Sequence, residues 1–114
     1  YLTYHRTSAD GRMLQVEPIT VKGATMVHDF NITRNHVIFM DLPAVWNFEG
    51  LAGSGLPVVW DESYGARLGV MPREGSDADV KWFEIDPCYV FHPMNAWEEG
   101  NRIFVDVCRM NDTM

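Results

Sequence analysis

The chain has 114 residues, 46% hydrophobic and 22% charged, the balance of one globular domain. Its formal net charge is −7 with no basic cluster. That argues against nucleic acid, whose phosphates demand Lys/Arg stripes, and disfavours electrostatic docking on anionic membranes.

Almost every periodic stretch reads as strand. Residues 2–7 (LTYHRT) and 13–21 (MLQVEPITV) flank the turn Ser8-Ala9-Asp10-Gly11, a hairpin signal. VHDFNIT (27–33) and HVIFMDL (36–42) flank Arg34-Asn35, a second hairpin. Residues 42–60, LPAVWNFEGLAGSGLPVVW, follow as a long apolar loop whose prolines, glycines and Glu49 exclude a spanning helix. ARLGVMPR (66–73) is a short strand ended by Pro72 and the polar loop Glu74 to Asp79. VKWFEID (80–86) comes next, then CYVFHPMNAWEE (88–99), the turn Gly100-Asn101, and RIFVDVCRM (102–110). No window carries a 3.6-residue period, so the fold is expected to be all-β: a sandwich, barrel or propeller. The chain opens inside one strand-like run and closes just past another. Residues 1–114 are therefore expected to be part of one domain, truncated at both ends.

Cys88 and Cys108 have neither CxxC spacing nor a paired-histidine motif, which argues against a zinc finger. Each lies in or beside an apolar run, where a buried free thiol is expected, and a reducing, cytoplasmic setting fits them.

One local pattern occurs twice. HDFNITRNHVIFMD begins at His28 and HPMNAWEEGNRIFVD begins at His92; in each, a histidine leads into a polar turn and a β-rich run that ends in aspartate. The two histidines are 64 residues apart, longer than the roughly 40–50 of a propeller blade, and the excess is assigned to the 42–60 loop. Taken alone, each histidine reads as a core side chain bonded to a backbone carbonyl. Two core histidines need not occupy matching positions, whereas ligands converging on one ion would. Neutral imidazole suits zinc, copper, iron and nickel. There is no HExxH, so further ligands must come from elsewhere. His5 and His36 read as surface or turn residues.

The stretches MVHDFNITRNHVIFMD (26–41), ARLGVMPR (66–73) and WFEIDPCYVFHPMNAWEEGNRIFVDVCRM (82–110) resemble the carotenoid cleavage oxygenase family. That family includes apocarotenoid and lignostilbene dioxygenases and the retinal pigment epithelium isomerohydrolase. The resemblance implies a seven-bladed β-propeller, of which this chain is about one to two blades, with Fe(2+) on its axis held by four histidines. His28 matches the second of these ligands and His92 the third; neither His5 nor His36 matches the others, which are expected outside this chain. The glutamates that bond ligand imidazoles in that family are also expected outside it, so Asp29, Glu98 and Glu99 are not assigned that role.

The activity implied is that of a non-haem iron(II) dioxygenase. It adds dioxygen across one double bond of a lipophilic conjugated substrate (carotenoid, apocarotenoid or stilbene-type) and releases two carbonyl products. Alternatives are an isomerohydrolase with the same cage and a metal-free propeller that acts as a binding module. Imidazole must be neutral to ligate, so iron is expected to leave as pH falls well below about 6.5. Phe30, Trp46, Phe48, Trp60, Trp82, Tyr89, Phe91 and Trp97 are expected to serve mostly as packing core rather than tunnel lining. The 42–60 loop, with Trp46, Phe48, Leu51 and Leu56, is expected to fold down on the surface. Peripheral membrane contact through it is the less favoured reading.

Overall fold

The computed structural model describes residues 2–49 and 57–111. β1 (Leu2–Thr7) and β2 (Met13–Ile19) form an antiparallel hairpin. β3 (Asn31–Ile32), β4 (His36–Asp41), β7 (Ala66–Pro72) and β8 (Lys81–Ile85) form a four-stranded sheet in that spatial order, each antiparallel to its neighbour. Between β4 and β7 the chain makes a separate hairpin, β5 (Ala44–Trp46) with β6 (Val58–Trp60). A last hairpin pairs β9 (Pro93–Glu99) with β10 (Arg102–Val107). Gly100 closes its turn at φ +57°, a left-handed conformation open to glycine at no steric cost. The expected all-β architecture holds, and the central sheet has the four-stranded antiparallel form of a propeller blade, flanked by hairpins. No helix among the described residues is long and apolar enough to cross a membrane.

The run Val37-Ile38-Phe39-Met40 explains why β4 is the heart of the structure. Successive strand side chains point to opposite faces, and all four are buried, so both faces of β4 must be covered. Val37 and Phe39 join Met71 against Tyr4 of β1 and Ile19 of β2. Met40 joins Leu42, Ala44 and Ala66 against Tyr89 and Val90, the approach to β9. The blade is thus packed between the hairpin before it and the segment after it. Each such large apolar side chain contributes roughly 1.5–3 kcal/mol on burial.

Two polar devices fix the blade. The carboxylate of Asp41, fully buried at the end of β4, accepts from Arg67 Nε (2.7 Å), Tyr64 Oη (2.5 Å) and the Lys22 N–H (3.3 Å). Burial, followed by the bond to Asp41, pushes the Tyr64 hydroxyl well above its ordinary range, so it stays a donor. The Arg67 guanidinium lies 3.9 Å from the centre of the Trp82 ring, and that ring lies flat against Gly69. A Cβ at Gly69 would sit 2.6 Å from Trp82 Cζ3, so only glycine admits the stack.

Four expectations change. Within VHDFNIT only Asn31–Ile32 is strand; the bonds of the preceding segment go instead from Met26 N–H to Ala44 C=O (2.7 Å) and from Tyr89 Oη to Met26 C=O (3.0 Å). CYVFHPMNAWEE likewise becomes strand only from Pro93. The 42–60 segment contains the β5–β6 hairpin rather than a bare loop, while Leu51 and Leu56 lie outside the described residues. Cys88 is buried, but Cys108, just past the end of β10 at Val107, is exposed.

Candidate metal centre

His28 and His92 occupy equivalent places, each in the non-repetitive lead-in to the first strand of a β-unit: three residues before β3 and one before β9. The fold brings their rings to 4.9 Å, centroid to centroid, at 82° to one another. Four contacts hold them there. His28 Nδ1 lies 3.0 Å from the carbonyl oxygen of Phe91, the residue before His92. A carbonyl only accepts, so Nδ1 carries a proton, and in the neutral ring that leaves the lone pair on Nε2. The Phe91 ring packs edge-on to His28 at 5.5 Å and to Tyr89 at 4.7 Å. Tyr89 is buried, and its hydroxyl, pushed up to about 12 by burial, donates to Met26 C=O two residues before His28.

This arrangement fits an imidazole-bound ion. Two imidazoles bound side by side on one ion at about 2.1 Å hold their ring centroids roughly 4.5–5 Å apart. The donor set, neutral nitrogen with a fixed tautomer on one ring, suits iron, zinc, copper or nickel rather than the oxygen-seeking ions. Both rings are exposed in this chain and accessible to further ligands. Among the described residues no group of three or more His, Cys, Asp or Glu side chains is gathered that could hold a metal ion, so the pair supplies part of a coordination sphere.

The remaining histidines and acids are elsewhere. His5 is exposed on β1. His36, read from sequence as a surface or turn residue, is half-buried at the start of β4 and bonds through Nδ1 to Glu98 Oε1 (3.0 Å). Glu98 also accepts from the Asn35 N–H (2.9 Å), the Asn35 side-chain amide (2.8 Å) and the Thr33 hydroxyl. These donors, led by Thr33 and His36, lower the Glu98 carboxyl to about 2. Asp29 caps its neighbour's amide, accepting from Phe30 N–H at 2.8 Å, and Glu99 accepts from the Trp97 indole at 2.9 Å. Among the described residues none of these carboxylates bonds the His28 or His92 ring. The Glu98 cluster had no local signal in the sequence, since its partners lie 62 to 65 residues away.

The aromatic side chains divide. Tyr89 is buried, and Trp60, Trp82, Phe91 and Trp97 are partly buried, in line with packing. Phe30, Trp46 and Phe48 are exposed, and the Trp46 and Phe48 rings stack at 5.8 Å.

The family model described as "Retinal pigment epithelial membrane protein" matches residues 1–114, the whole chain. A carotenoid 9,10(9',10')-cleavage dioxygenase of Crocus sativus is 42% identical over 114 residues, covering 98% of this chain and 21% of that protein. The crystal structure of Pseudomonas brassicacearum lignostilbene dioxygenase superposes with a TM-score of 0.80 at 30% identity, over 92% of this chain and 22% of the other. That of cobalt-substituted Synechocystis ACO superposes with a TM-score of 0.81 at 28% identity, over 98% of this chain and 24% of the other. The chain therefore spans about a fifth of the length of these relatives. Repeated histidine lead-ins, a propeller blade between flanking hairpins, and a match that runs from first residue to last leave one conclusion: this chain belongs to the carotenoid cleavage oxygenase family.

Proposed function

We propose that this chain is one part of a longer propeller enzyme, a non-haem iron(II) dioxygenase. It cleaves a conjugated carbon–carbon double bond of a carotenoid, apocarotenoid or stilbene-type substrate. His28 and His92 are two of its iron ligands. The observation that carries the reading is the ring pair: two imidazoles 4.9 Å apart, one with Nδ1 tied to a backbone carbonyl and, among the described residues, no bond to its Nε2. Relatives named for carotenoid and lignostilbene cleavage support the reaction class. A cobalt-substituted relative supports a metal site, with cobalt standing in for the native ion.

When bound, ferrous iron supplies the site at which dioxygen is activated. Across the whole reaction one double bond breaks and each of its carbons gains one oxygen of O2 as a carbonyl, so no outside reductant is needed. The chain's own contribution is placement. The Phe91 carbonyl holds the His28 tautomer, the Tyr89 hydroxyl ties the two histidine lead-ins together, and the Phe91 ring packs edge-on against the His28 ring. No residue here is asked to move a proton.

Labelled dioxygen tests the reaction in the full-length protein. Label in both carbonyl products is expected. An isomerised product with its carbon skeleton intact and no label taken up would count instead for the isomerohydrolase reading. A full-length protein that takes up no metal under anaerobic ferrous loading would favour the metal-free binding module.

A further inference from the structure

β3 and β9 lie side by side yet belong to different sheets, so no backbone ladder sets one against the other. They are the strands that follow His28 and His92. Whatever fixes their relative register therefore fixes the relative height of the two imidazoles. Side chains must do it, and among the described residues the hydrogen-bonded ties across this seam fall into two groups. At the ring end are Tyr89 Oη to Met26 C=O and His28 Nδ1 to Phe91 C=O. At the far end stands Glu98 alone, six residues beyond His92. It gathers Thr33, Asn35 and His36, which follow β3.

We infer that Glu98 is a positioning residue of the metal centre, locking β3 against β9 so that His28 and His92 meet one ion. Residues in a strand advance about 3.3 Å each, which puts the clamp on the order of 20 Å from the ring pair, at the opposite end of the seam. Two strands held at both ends cannot slide. A one-residue slip moves an imidazole by about 3.3 Å, against a tolerance of about 0.2 Å in a metal–nitrogen bond. A carboxylate suits the task because it only accepts. Its two oxygens take four donors from three residues, and such charge-assisted bonds are stronger than neutral ones. With its side chain only 18% exposed, Glu98 is also shielded from competing water. The inference rests on the ligand assignment proposed above.

The test uses the full-length protein loaded with cobalt(II), and reads metal affinity by chelator competition and ligand field by the visible d–d spectrum. Glu98→Ala is expected to weaken cobalt binding about tenfold, the equivalent of roughly one lost hydrogen-bonded tie, and to shift the d–d bands. Glu98→Gln keeps the Oε1 acceptor for Thr33, Asn35 and His36 and is expected to stay within a few-fold of the parent. Should Glu98→Ala fail to fold, Thr33→Val and Asn35→Ala remove donors from the other side of the seam and are expected to weaken binding several-fold. Gly69→Ala, inside the blade and away from the seam, controls for general loss of stability. His28→Ala and His92→Ala run in parallel. If they lose cobalt while the Glu98, Thr33 and Asn35 variants bind as the parent does, the positioning role is overturned and the ligand assignment stands. If Gly69→Ala weakens binding as much as Glu98→Ala at equal loss of stability, the role is likewise overturned. If the histidine variants keep cobalt, the ligand assignment falls and this inference with it.

Discussion

Replacing Arg67 with methionine probes the strongest polar commitment in the blade. Asp41 is fully buried (side-chain exposure 0%) and Arg67 nearly so (15%), and their bond of 2.7 Å joins β4 to β7 at a directly paired position. Removing one partner of a buried ion pair costs about 3–5 kcal/mol, because the other charge is stranded. Two donors remain to Asp41, Tyr64 Oη at 2.5 Å and the Lys22 amide at 3.3 Å, which moves the expected loss to the lower end. Loss of the cation–π contact with Trp82 adds about 0.5–1 kcal/mol. The sum is about 3–4 kcal/mol for Arg67→Met. Native-state amide exchange along 37–41 and 66–71 measures it, and an opening energy reduced by that much speeds exchange by at least a hundredfold. The discriminating variant is the double one. Asp41→Asn with Arg67→Met removes both charges and still accepts from Tyr64, so its strands should exchange more slowly than those of Arg67→Met alone. If the two substitutions instead add, no stranded charge exists and the account of this network is wrong.

Gly69→Ala forces a Cβ to within 2.6 Å of the Trp82 ring, and displacing that ring should cost about 1–3 kcal/mol, read as a lower urea midpoint with altered tryptophan near-UV dichroism. Tyr89→Phe leaves the Met26 carbonyl without its donor and should cost about 1–2 kcal/mol in the same denaturation assay, an unchanged midpoint being the contrary result. Acid should act through Glu98. Its carboxyl is lowered to about 2 in the folded state, so the stability it contributes is complete above the ordinary glutamate range near 4.5 and is lost as pH falls toward 2. Glu98→Gln should flatten that part of the pH–stability curve, and identical slopes for parent and variant between pH 4.5 and 2 would remove Glu98 from the account.

Much of this was legible in the residues because the signals were local. Ser8 to Gly11, Arg34-Asn35 and Gly100-Asn101 marked three hairpin turns that the fold uses, and the apolar run 37–40 marked a strand buried on both faces. The repeated histidine lead-ins singled out the pair whose rings the fold brings together. Non-local pairings carried no such mark. Val27 to Phe30 has strand-like residues, but its neighbours' bonds go to β5 and Tyr89, so composition overstated β3. The proline- and glycine-rich 42–60 segment hid a hairpin because β-pairing there joins short runs, Ala44–Trp46 and Val58–Trp60, across a long excursion. His36 looked like a turn residue since its partner, Glu98, is 62 positions away.

The central claim is that His28 and His92 bind one iron. The direct measurement is iron stoichiometry of the full-length protein after anaerobic ferrous loading and gel filtration, for the parent, His28→Ala and His92→Ala, with His5→Ala as control. Parent and control should each retain one iron, and the His28 and His92 variants should each lose most of it. Full retention of iron by either of those two variants would contradict the account.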